Sequence, residues 1–169
     1  LLWLAWTGHE RAFLMLLIGA LVSDIVDGQI ARCWNLATEL GATLDSWADF
    51  LTALTLPFAL YWLQPETIPR VRIAFVVALV SYLLPIALGF LKFRRLTSYH
   101  TLLARVAAYA LGASIVVLFA RGPTLPFQIS VLVLALAASE EIALTVVLPA
   151  PRSNVGSLRR LLRARRNEP

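Results

Sequence analysis

Apolar residues fall in long uninterrupted blocks along this chain, separated by short polar or proline-bearing breaks. Residues 73–91 carry no charged side chain, and neither do residues 122–139. Within the blocks neither a two-residue alternation nor a one-sided helical stripe predominates, so the segments are apolar around most of their circumference. A helix needs about 20 such residues to cross the hydrocarbon core of a bilayer. Every backbone polar group must then be satisfied inside the segment, which leaves the helix as the fitting element. The pattern predicts five spans, near residues 11–32, 43–63, 70–91, 102–120 and 125–148. The fourth is shortened at one end by Arg105.

The breaks are informative as well. Gln64-Pro65-Glu66-Thr67-Ile68-Pro69 and Gly122-Pro123-Thr124-Leu125-Pro126 read as short loops at one end of the spans, and Pro149-Ala150-Pro151 stops the last span sharply. Pro57 and Pro85 lie inside spans, where each removes a backbone donor and is expected to kink its helix. Residues 1–6 are apolar but too few to cross, with no basic stretch before them, so they read as the remnant of a first helix lying upstream. The expected fold is an all-α, polytopic transmembrane helix bundle. It comprises a membrane domain over residues 1–151 and a basic tail over 152–169, where leucines alternate with arginines as a membrane-surface helix or a solvated tail would have them.

Composition sharpens the class. Of 169 residues 59% are apolar and 15% charged, with a mean hydropathy of +0.76; soluble domains carry about 25% charged residues. The net charge of +5 is distributed unevenly. If the spans alternate, Arg32, Lys92, Arg94, Arg95, Arg105 and the six arginines of the tail share one side, while Arg11, Arg70, Arg72 and Arg121 face the other. The richer side is expected to be cytoplasmic. This asymmetry accounts for the charge and argues against a nucleic-acid partner; anionic lipid headgroups suit the tail better. Cys33 is the lone cysteine, so no internal disulfide can form. Trp3, Trp6, Trp34, Trp47, Trp62 and Tyr61 include several span-end positions of the kind that form an interfacial belt.

The candidate chemistry lies in acids placed within membrane spans. Asp24 and Asp27 stand three residues apart near the cytoplasmic end of the first full span, with Gly28 and Ala31 on the same helical face. After a short connection come Gly41, then Asp45 and Asp49 four residues apart on the next span. So short a connection makes the two helices antiparallel neighbours, and the four carboxylates can converge. An uncompensated Asp at mid-membrane costs about 2.5–3.5 kcal/mol on the lenient insertion scale. Four together call for protonation or bound cations, with Arg32 supplying one nearby positive charge. A set of oxygen ligands without His or Cys suits Mg²⁺, Mn²⁺ or Ca²⁺ rather than Zn²⁺. Gly28, Ala31 and Gly41 would admit a bulky ligand, or serve close helix packing; Arg32 would meet a phosphate, or anchor the span end.

The run Asp24-x-x-Asp27-Gly28-x-x-Ala31-Arg32, eight residues, Gly41-x-x-x-Asp45-x-x-x-Asp49 resembles the signature of the class I CDP-alcohol phosphatidyltransferases at each fixed position. A chance match over these positions is on the order of 10⁻⁸ at average residue usage. The resemblance implies a six-helix membrane fold, often dimeric, of which the first helix is largely missing here, with a site opening to the cytoplasm. It further implies that Asp24, Asp27, Asp45 and Asp49 ligate two divalent ions, Mg²⁺ or Mn²⁺, and that Asp49 doubles as general base. Asp27, Gly28, Ala31, Arg32, Gly41 and Asp45 would form the CDP site. The donor implied is CDP-diacylglycerol, with an alcohol acceptor and release of CMP in phospholipid synthesis at the cell membrane.

For the acceptor, Arg94, Arg95 and Arg105, with His100 nearby, are positioned to clamp a phosphorylated alcohol such as glycerol 3-phosphate or inositol phosphate; an ordinary positive-inside loop is the plainer reading. Glu140 and Glu141 lie inside the last span and read as protonated or water-bridged structural acids. The competing class is a divalent-cation transporter, since intramembrane acids also mark ion paths. That reading expects acids near the midplane and leaves the glycine and arginine spacing unexplained.

Overall fold

The structure, a computed structural model, describes residues 1–33, 39–93 and 102–147. Among them every regular element is helical: α1 (Leu2–Trp6), α2 (Glu10–Cys33), α3 (Glu39–Leu63), a 3₁₀ turn at Pro65–Thr67, α4 (Ile68–Phe93), α5 (Leu102–Phe119) and α6 (Leu125–Val147). The five segments expected to be helical coincide with α2 to α6 within a few residues. Among the described residues three stretches are long and apolar enough to cross a membrane, namely Pro65–Phe93, Leu102–Phe119 and Leu125–Val146. The apolar start of the chain is the short helix α1, and Pro57 and Pro85 lie inside α3 and α4. The basic tail lies outside the described residues.

Two compact units can be distinguished, and each is coherent by itself. The first comprises Leu1–Arg70 with Val116–Gly122. Here α1 packs against both α2 and α3. Its core is built from Ala5 of α1, Phe13 and Leu17 of α2, Leu56, Ala59, Leu60 and Leu63 of α3, and Leu118 and Phe119 at the end of α5. The α3 residues recur at the spacing of one helical face. Phe13 and Phe119 meet as tilted rings 4.8 Å apart. Gln64, almost wholly enclosed, donates its amide to the Phe119 carbonyl at 2.9 Å and so satisfies an acceptor at the end of α5.

The second unit comprises Val71–Ile115 with Pro123–Pro169. Its interior combines small residues, Gly89 of α4, Ala107 and Ser114 of α5, and Ser130, Ala137 and Ala138 of α6, with Val71, Phe127, Val131 and Leu144. Many other large apolar side chains point outward, as at Ile73, Val76, Leu91, Leu132 and Leu136. In water that arrangement would be unfavourable; with lipid as solvent, close packing of small residues holds helices together and large apolar groups face the acyl chains. Ser114 and Ser130 meet at 2.8 Å inside this interface, while each also lies 2.8 Å from the carbonyl three residues back, Leu111 and Phe127. Two hydroxyl hydrogens serve three contacts, so one serine donates to the other while its partner donates to its own helix. At the end of α4, the Lys92 ammonium donates to the Thr145 and Val146 carbonyls at 2.7 and 2.9 Å. It thereby caps the last turn of α6 with positive charge, where the helix dipole favours it.

Candidate active site

α2 ends and α3 begins at the connection spanning residues 34–38, and the acids expected to carry the chemistry flank it. Asp24 and Asp27 lie in the second half of α2, and Asp45 and Asp49 lie in the first half of α3. Both described carboxylates, Asp24 and Asp27, are exposed, as is every residue from Val22 to Val26 between and before them. This stretch of α2 is left exposed by the described residues. Asp27 accepts a hydrogen bond from the Ser23 hydroxyl at 3.2 Å, one turn back on the same helix. A carboxylate offers about four lone-pair directions, so this bond leaves Asp27 capacity for further ligands.

Gly41 is exposed in the first turn of α3. Gly28, Ala31 and Arg32 are placed by the backbone of α2, and Asp45 and Asp49 by that of α3; their side-chain surroundings lie outside the described residues. Among the residues whose side chains are described, no group of three His, Cys, Asp or Glu converges. The expected convergence of the two aspartate pairs therefore falls outside what is described. The donor chemistry is nonetheless that of a hard-cation site, since the four residues offer only oxygen.

Of the expected acceptor residues, Arg94, Arg95 and His100 lie outside the described residues. Arg105 is exposed in the first turn of α5. Neighbouring Lys92 is committed to the end of α6. Glu140 and Glu141 are half-buried within α6. Trp47 is exposed on α3 and meets Phe50 edge-on at 6.1 Å, while Trp3, Trp6, Tyr61 and Trp62 are exposed at the ends of α1 and α3 remote from the aspartates.

At that remote end lies a charged cluster that the reading of the sequence did not assemble. Arg121 binds Glu10 with two nitrogens, Nε to Oε2 at 3.2 Å and Nη2 to Oε1 at 2.5 Å. Its Nη1 reaches Glu66 Oε1 at 3.0 Å, and Nη2 also lies 3.4 Å from the Leu63 carbonyl. The hydrogen bond from Arg121, with its charge, holds the Glu10 carboxyl below the usual range against a smaller opposing effect of burial. Glu10 in turn raises Arg121 further. The only sequence signal was an acid at each of two helix ends and an Arg-Gly pair after an apolar run.

Comparison with known proteins bears on the site as a whole. The model of the CDP-alcohol phosphatidyltransferase family matches residues 1–149. A protein of Aquifex aeolicus (strain VF5), described as an uncharacterized protein, is 60% identical over 38 residues, which is 22% of this chain and 19% of that protein. The match thus spans only a small part of that relative's length. No solved structure matches. With nearly nine-tenths of its length inside the family's match, and helices long and apolar enough for lipid, the chain is a membrane protein belonging to the CDP-alcohol phosphatidyltransferase family.

Proposed function

We propose that the protein transfers a phosphatidyl group from CDP-diacylglycerol to a small polar alcohol with release of CMP, as a step of phospholipid synthesis. The observation that carries this reading is the family match over residues 1–149, with all eight signature positions intact where α2 ends and α3 begins. Asp24, Asp27, Asp45 and Asp49 are the residues to hold two Mg²⁺ or Mn²⁺ ions. Bound there, the metals would neutralise the donor's diphosphate and the charge on departing CMP.

The chain's own residues perform the remaining tasks. Arg32 pairs with phosphate oxygen, and Gly28, Ala31 and Gly41 leave room for the cytidine nucleotide beside Asp27 and Asp45. Asp49 takes the proton from the acceptor hydroxyl. That oxygen forms a new bond to the lipid-linked phosphorus; the bond from this phosphorus to the CMP oxygen breaks, and CMP leaves with the electron pair. Arg94, Arg95, His100 and Arg105 orient the acceptor, for which a phosphorylated polyol such as glycerol 3-phosphate or inositol phosphate fits the cationic set. The site faces the cytoplasm, where the water-soluble acceptor and the released CMP occur, and the enzyme works as a homodimer in the cell membrane.

The test uses membranes containing the full-length protein, labelled CDP-diacylglycerol, Mg²⁺ or Mn²⁺, and a panel of alcohols. CMP release with one acceptor, abolished by chelation and by Asp49→Asn, is the expected result. No release with any acceptor would remove the enzymatic reading and return the aspartates to cation transport.

A further inference from the structure

The Arg121 cluster sits at the end of α2 and α3 opposite the aspartates, and three observations about it converge. The first is backbone strain. α5 closes with the Gly122 amide on the Val117 carbonyl at 2.9 Å and the Arg121 amide on the Leu118 carbonyl at 3.1 Å. This is the turn that normally places glycine in the left-handed conformation just past a helix end. Here Arg121 occupies that position at φ 59°, the sole non-glycine residue of positive φ among those described. Glycine would close the same turn with less strain, so the arginine is accounted for by what its side chain does.

The second observation is geometry. One guanidinium joins Glu10, the first residue of α2, to Leu63 at the end of α3 and to Glu66 in the 3₁₀ turn that follows, and it does so from just past the end of α5. The third is leverage. Asp24 lies fourteen residues beyond Glu10, and Asp49 fourteen before Leu63, so both lie about 21 Å from the cluster along their helices at 1.5 Å per residue. A tilt of about 3° at the clamped end moves a carboxylate at that distance by on the order of 1 Å, whereas metal–ligand distances tolerate about 0.2 Å. Exposed ion pairs add little to stability, which leaves orientation as the role the geometry supports.

We infer that Arg121 is a positioning residue: by tying the far ends of α2 and α3 together it fixes how the two aspartate pairs present themselves to metal. The inference rests on the proposed metal site. Its test is Mn²⁺ binding, followed by electron paramagnetic resonance without substrate, on the purified full-length protein in lipid nanodiscs. Arg121→Gln and Glu10→Gln are each expected to weaken Mn²⁺ binding by about 3- to 10-fold, the range for couplings carried through packed elements. The double variant is expected to be no weaker than the poorer single, and Arg121→Lys to recover part of the loss. Melting curves establish that the variants are folded; should Arg121→Gln fail to fold, Glu10→Gln decides alone. Unchanged Mn²⁺ affinity, or losses that simply add, overturns the inference while leaving the metal site in place. A wild-type protein that neither binds Mn²⁺ nor releases CMP sinks the proposed function, and the positioning role with it.

Discussion

One substitution, made at three glycines, should give three different results. At Gly122 an added Cβ would lie 2.6 Å from Val117 Cγ1 and 2.8 Å from the Val117 carbonyl oxygen. The methyl group could yield only by leaving its rotamer, which is stiff in a β-branched side chain. The oxygen cannot yield without lengthening the 2.9 Å bond it accepts from the Gly122 amide. Overpacking of this kind costs about 1–3 kcal/mol. Gly19, inside α2, has open space around its Cβ position, so alanine should stabilise by about 0.5–1 kcal/mol through helix propensity. Gly8 also has open space but sits at φ +75°, where alanine is strained by about 1–2 kcal/mol without any clash. Thermal unfolding in nanodiscs reads the order directly: for a chain of this size 1 kcal/mol corresponds to about 2–4 °C. Gly122→Ala is expected to melt lowest and Gly19→Ala highest. A Gly122→Ala protein that melts with the wild type would refute the closed turn at the end of α5, and with it the placement of Arg121.

Other tests follow from the same contacts. Ser114→Ala and Ser130→Ala should show a coupling of about 0.6 kcal/mol in a double-mutant cycle on unfolding, the average for interhelical hydrogen bonds in lipid; strict additivity would place the hydroxyls apart. Lys92→Met should loosen the last turn of α6 and speed amide hydrogen exchange near Thr145 and Val146, leaving exchange in α2 unaltered. Because the folded Glu10 carboxyl is held below its ordinary value of 4.5, the stability it contributes is complete above that pH and is lost as pH falls through the depressed value. Titration of the Glu10 carboxyl followed by NMR should show a midpoint below the ordinary value, and an unshifted midpoint would contradict the ion pair.

The spans were legible because lipid demands long apolar runs and leaves few alternatives to a helix. The start of α4 shows where such a reading blurs. The pattern placed it at residue 70, but the helix begins at Ile68, since a proline such as Pro69 is tolerated in a first turn, where its missing donor has no helical partner anyway. The four aspartates were legible as a chemical type, because acids in an apolar run require an explanation wherever they occur. Their convergence stands as an expectation, because the side-chain surroundings of Asp45 and Asp49 lie outside the described residues. The Arg121 cluster was not legible. Arg121 is 111 residues from Glu10 and 55 from Glu66, and only the packed helix ends bring those charges together.

The polar groups enclosed by the helices differ in kind from the aspartates, and the difference separates architecture from chemistry. Gln64, Ser114, Ser130 and Thr145 are all buried, and each is answered within the chain: Gln64 by the Phe119 carbonyl, the two serines by one another and by their own helices, Thr145 by the Glu141 carbonyl. In a medium without water such closure is what keeps a polar side chain from destabilising the fold. Asp24 and Asp27 follow another rule. They stand on an exposed stretch of α2, where Asp27 accepts a hydrogen bond from the Ser23 hydroxyl. A carboxylate set out toward the surroundings of a membrane helix needs a cation or an aqueous opening to be tolerated. The metal site proposed above would supply that cation.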